Sequence, residues 1–135
     1  MNPDLKLRLT PLYQASRQEL DFLVQIREEL TVIAMWGPLR RVSPFDIRVN
    51  YHFEYIENGE DDSAYMTGNG ETFDIHIDKR MPIGMILDFI VHELAHVHSW
   101  YTGDEYEDHC DEFGKSYALL YRGYLRLYDK FWGII

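Results

Sequence analysis

The sequence predicts one α+β domain made of an N-terminal helix, a three-stranded, mainly antiparallel sheet, a helix carrying His92-Glu93-Leu94-Ala95-His96, and a C-terminal helix. Three observations carry this prediction. Apolar residues recur at helical spacing in three separate segments, they alternate with polar residues in two segments between the first and second of these, and a Gly-Asn-Gly turn joins the short and long members of a hairpin. The chain has 135 residues, 46% of them apolar and 15% aromatic, which suffices for a single core without staples. It holds no repeat, low-complexity tract or linker, so residues 1–135 read as one domain.

Ser16-Arg17-Gln18-Glu19 is a capping-box signature, in which hydroxyl and carboxylate satisfy the free amides of a helix start. The helix that follows runs from about Ser16 to Trp36 and is stopped by Gly37-Pro38. Leu23, Ile26, Leu30, Ile33 and Ala34 form its packed side. Next, Ile47, Val49, Tyr51, Phe53 and Tyr55 alternate with Arg48, Asn50, His52 and Glu54, the pattern of a strand with one covered face. A short strand at Ala64–Thr67 and a longer one at Glu71–Asp78 flank Gly68-Asn69-Gly70, whose glycines permit the positive φ angles of a tight hairpin. The longer strand alternates Phe73, Ile75 and Ile77 with Thr72, Asp74, His76 and Asp78, so one face packs and the other stays wet.

Pro82 opens the next helix, where its missing amide hydrogen costs least. With about 100° per residue and His92 as origin, Ile83, Ile86, Leu87, Ile90, Val91, Leu94 and Val97 share an arc between about 120° and 260°. That arc is the predicted core face. His92, Glu93 and His96 lie opposite, with Met85, Phe89 and Trp100 between about 0° and 100°, apolar surroundings that would lower the dielectric of a site. Two imidazoles at i, i+4 can share one tetrahedral ion, and a carboxylate beside them can take a proton from water activated by that ion. His-Glu-x-x-His on a helix therefore points to zinc and to hydrolysis.

A catalytic zinc needs a third protein ligand, and candidates crowd Asp104–Glu112. His109 is the geometric choice. On a helix from about Asp108 to Lys130 it continues the row Phe113, Tyr117, Leu120, Tyr124, and its place near a helix N-terminus keeps the ring neutral and able to ligate. Glu112, about 60° away, stays open as a second choice, whereas Asp111 points away. Cys110 is the sole cysteine, which excludes an internal disulfide and a cysteine-built zinc site, and a packed thiol is favoured over a ligand there. His98 falls in the apolar arc and reads as a buried, hydrogen-bonded core histidine. His52 and His76 lie on the polar faces of strands and read as surface groups or as supports to a site.

His92-Glu93-Leu94-Ala95-His96 followed by His109-x-x-x-Phe113, with Tyr117 and Ala118 in the same helix, resembles the SprT-like zinc metallopeptidase domains. The ImmA/IrrE-type metallopeptidases are a second, more distantly similar group, with a glutamate at the place of His109. The resemblance spans roughly Ile47 to Tyr124 as an order of elements and implies a compact zincin-like domain, a Zn²⁺ cofactor, His109 as third ligand and peptidase activity. It also implies that Glu71–Asp78, the strand before the motif helix, is the sheet edge along which an extended peptide lies. The position after His109, often glycine in the SprT-like pattern, is Cys110, and the sequence holds no cysteine-rich zinc ribbon.

The net charge is −10. Residues 1–55 carry seven basic and seven acidic side chains and residues 56–135 carry six and sixteen, so the excess lies in the half that holds the motif. Such a field repels phosphate backbones and favours cationic partners, and nucleic acid is not an expected ligand. No apolar run approaches the roughly 18 residues of a membrane span, and Met1–Thr10 has no apolar signal region, so a cytoplasmic enzyme acting on a protein or peptide substrate is expected. In that reading His92, His96 and His109 bind Zn²⁺ and Glu93 is the general base; Tyr101, Tyr106 and Tyr117 are candidate oxyanion donors. The alternative is a non-catalytic zinc-binding acidic interaction module, its site closed by Glu105, Asp108 or Glu112.

Overall fold

The computed structural model of the protein describes residues 3–36, 47–56, 64–69, 71–100 and 111–133. In chain order these form α1 (Pro3–Leu9), a 3₁₀ turn (Leu12–Gln14), α2 (Arg17–Met35), β1 (Arg48–Glu54), β2 (Ala64–Gly68), β3 (Thr72–Asp78), α3 (Ile83–His98) and α4 (Asp111–Trp132). The α+β class and the predicted helices and strands are present, with α1 an addition that the sequence pattern did not indicate.

The capping box forms as expected: the Glu19 amide donates to Ser16 Oγ at 3.2 Å and the Ser16 amide donates to Glu19 Oε1 at 2.9 Å. Leu23, Ile26, Leu30 and Ala34 of α2 are buried, and so is Phe22, whose ring meets Tyr124, Tyr128, Phe131 and Trp132 of α4 at centroid distances of 5.0–6.3 Å. All seven residues assigned to the core face of α3 are buried. Against them lie Phe73, Ile75 and Ile77 of β3, also fully buried. The N-terminal segment then fixes where α3 starts. Leu12 N–H donates to Met81 O at 3.0 Å and Ile83 N–H, an amide that the helix itself cannot satisfy, donates to Thr10 O at 2.9 Å. Gly84 lets α1 cross here, since a Cβ on it would stand 3.3 Å from the Arg8 Cα.

The sheet departs from the prediction in direction and in order. It is mixed, with strand order β1-β3-β2: β1 runs parallel to β3 from Arg48↔Thr72 to Glu54↔Asp78, and β2 runs antiparallel to β3 from Ala64↔Ile77 to Gly68↔Phe73. A mainly antiparallel sheet is therefore incorrect. The alternation in residues 47–55 reports which face is covered, and nothing in a strand's own period reports its neighbour or polarity. The edge role expected of residues 71–78 is also incorrect, because β3 is central and both of its sides are paired. Among the described residues β1 and β2 are the outer strands.

Among the described residues of the β2–β3 turn, Asn69 supplies the side-chain hydrogen bonds. Its Oδ1 accepts from the amides of Glu71 and Thr72, each at 2.9 Å, an Asx-type arrangement. Gly68 has no positive φ; its missing side chain makes room for Phe73, whose Cδ1 would lie 2.4 Å from an added Cβ. Gly70 lies outside the described residues.

The sheet face turned from the core carries polar side chains and a row of three rings in register. His52 stacks on His76 at 4.6 Å and Tyr65 stacks on the other side of His76 at 4.4 Å. Two crossed bonds tie the parallel pair: His52 Nε2 to Asp74 Oδ1 and His76 Nδ1 to Glu54 Oε1, both 3.0 Å. The surface reading of these two histidines agrees with this. Tyr55 is exposed beyond the end of β1, under the Lys79 ammonium at 4.6 Å. The buried Asp78 ends β3, where the Arg80 guanidinium above all, and then the amides of Arg80 and Ile56, donate to it and hold its carboxyl well below the usual carboxylate range.

Gly68→Ala should lower unfolding free energy by about 1–3 kcal/mol in denaturant titration, since the buried Phe73 ring has to shift. For Asp78, a lowered native pKa means that its stabilisation is complete above the ordinary value of 3.8 and is withdrawn as pH falls below it. Asp78→Asn should therefore melt well below wild type at pH 7, and the gap should shrink below about pH 4.

Candidate metal centre

Helix α3 is anchored at its start by the Thr10 and Met81 contacts and buried along one side, so its opposite side is presented in a fixed orientation. His92 and His96 stand there one turn apart, their ring centroids separated by 5.0 Å and their planes at 73°. Two imidazoles on one tetrahedral ion, with metal–nitrogen bonds of about 2.0–2.1 Å and about 1.2 Å more from nitrogen to ring centre, would hold their centroids roughly 5 Å apart. The donor set is thus of the right chemistry and spacing for two ligands to one zinc ion. The Glu93 carboxylate, 14% exposed, lies beside them, with Oε1 4.0 Å from His92 Nε2. The His92 side chain is 38% exposed, open enough for solvent or a substrate to reach.

Helix α4 supplies a wall. Phe113, 8% exposed, lies 4.4 Å from the His96 ring and 5.2 Å from the His92 ring. One turn on, Tyr117 is 6.4 Å from His92 and stacks on Tyr121 at 6.0 Å. Burial, followed by the negative charges of Asp88 and an ionised Tyr121, pushes the Tyr117 hydroxyl pKa up from its ordinary value. It remains a protonated donor at neutral pH. Trp100, half-buried beyond the end of α3, packs its edge on Phe73 of β3 at 5.1 Å. The aromatic wall of Phe113 and Tyr117 lowers the local dielectric beside the histidines, which strengthens interactions between the polar groups there.

Comparison of the chain with protein-family models, curated proteins and solved structures returned no match. The geometry stands alone.

The predicted positions divide into three groups. His92, Glu93 and His96 come together on α3, and the row Phe113, Tyr117, Leu120, Tyr124 packs on α4 with Tyr117 its least covered member. His109 lies outside the described residues, as do Cys110, Glu105, Asp108, Tyr101 and Tyr106, while Glu112 falls in the first turn of α4. Among the described residues no group of three or more His, Cys, Asp or Glu side chains is arranged to hold a metal. His98 is buried as predicted and bonds through Nδ1 to Ser116 Oγ at 2.7 Å. Two features were not read from the sequence: Phe113 covering both histidine rings, and Ser116 as the partner of His98. The i, i+4 spacing of Phe113 and Tyr117 was the available signal for the first. A serine in a polar helix gives no such signal for the second.

Proposed function

We propose that this chain is a zinc-dependent metallopeptidase of the His-Glu-x-x-His type, of zincin-like fold and SprT-like character, that hydrolyses peptide bonds. The observation that carries the reading is the pair of imidazoles, His92 and His96, at the spacing of two ligands to one ion with the shielded Glu93 carboxylate beside them. His109 is the third ligand in this proposal, on its sequence spacing to Phe113. A zinc ion held by the three would supply the Lewis acidity that makes water nucleophilic near neutral pH.

The chain's own groups do the rest. Glu93 removes the proton from the attacking water and delivers it to the leaving nitrogen as the amide bond breaks. Tyr117, on the flank of His92 and kept protonated, donates to the carbonyl oxygen as it gains negative charge. Phe113 closes one side of the histidine pair and keeps bulk water from it. The acidic excess of residues 56–135 favours peptide segments rich in Lys or Arg and disfavours nucleic acid.

Glu93→Gln should retain one equivalent of zinc by metal analysis while peptide hydrolysis falls at least 10²-fold, the usual worth of a positioned general base. Hydrolysis undiminished in that variant removes the base from the mechanism, and a wild-type protein that binds zinc yet cleaves no peptide favours the interaction module. Tyr117→Phe should lower kcat about 10²-fold with KM and zinc content near wild type. Equal kcat in the two proteins excludes the Tyr117 hydroxyl as donor.

A further inference from the structure

His98 and Ser116 make a polar tie between α3 and α4 that hydrolysis itself does not use. Both residues are buried and the bond from ring Nδ1 to Oγ is 2.7 Å. Their positions in the two helices are what matters. His98 is the last residue of α3, two after His96, and lies about 200° round the helix from it. Ser116 stands within the turn of α4 bounded by Phe113 and Tyr117, the two residues whose rings meet His96 and His92.

One turn of α4 therefore grips the end of α3 from two sides, by ring contact on the side of His92 and His96 and by a hydrogen bond at His98. The two contacts constrain different motions. Ring against ring at 4.4–5.2 Å resists approach but is weakly directional, and it lets α3 turn about its own axis by sliding. A hydrogen bond in a dry interior is directional and costly to break, so it removes the small rotations that burial of the apolar side still leaves to the last turn of α3. Turning α3 by part of a turn would carry both imidazoles together past the wall of Phe113 and Tyr117 and away from any further ligand held on another element, since both are carried on its last two turns.

We propose that His98 and Ser116 are positioning residues that set the aim of His92 and His96 for metal. This rests on the metal reading given above and adds to it a control of affinity from outside the ligand set. Partners that orient ligating histidines affect metal affinity by about 10–100-fold, and a tie acting through the helix backbone belongs at the lower end of that range.

The test uses the full-length chain with zinc alone, its affinity read by competition with a chromophoric chelator at a temperature well below melting, beside the thermal midpoint of each metal-free protein. Ser116→Ala should bind zinc about tenfold more weakly than wild type, and Ser116→Thr, which keeps the hydroxyl, should recover most of the loss. Equal zinc affinity in wild type and Ser116→Ala overturns the proposal, even with a lowered melting point, because the bond would then serve stability alone. So does equal weakening in the Ala and Thr variants, which would trace the effect to packing volume. A wild-type protein that takes up no zinc fails earlier, at the metal reading itself, and removes this inference with it.

Discussion

The burial of one side of α3 is the constraint on which the rest of the molecule depends. Seven aliphatic side chains from Ile83 to Val97 are removed from water against β3 and the other helices. At about 25 cal/mol per Å² this is a large driving force, and it is satisfied in only one rotational setting of the helix. That setting decides where His92, Glu93 and His96 go. They face away from the core without being flung into solvent, because Phe113 and Tyr117 of α4 arrive on the same side.

Much of this was legible beforehand, for a reason that also explains what was not. A helix carries its whole geometry in its own residues, so the apolar arc of α3, the buried state of His98 and the row on α4 could be read from spacing. The capping box at Ser16 and Glu19 is equally local. Sheet order belongs to the pairing of distant segments, and the same alternation in residues 47–55 fits a parallel or an antiparallel neighbour on either side. The position of β3 between β1 and β2 was lost to sequence reading for that reason, and with it the expected peptide edge. Ser116 was lost for another: its role exists only through a ring on a different helix. His109, chosen from the row on α4, lies outside the described residues.

The outer face of the sheet shows how a small domain handles a surface that no described helix covers. Its polar side chains are joined to one another across strands, with His52 and His76 each bonded to a carboxylate on the opposite strand and Tyr65 closing the ring row. The His52 bond, helped by a second one from Asn50, holds the Asp74 carboxyl below its ordinary range. Such exposed pairs are individually weak. Their value is in register, because a one-residue slip of β1 would separate both crossed pairs at once.

The two halves of the sheet differ in how far the chain must travel to make them. The hairpin of β2 and β3 closes over a few residues around Asn69, whereas each residue of β1 meets a partner 24 positions later, with β2 formed in between. Loop-closure entropy favours pairing β2 with β3 before β1 docks along the remaining side of β3. Until it does, β3 offers a bare row of amides and carbonyls to any neighbouring chain, so crowding during synthesis is the moment at which this fold is most exposed to mispairing.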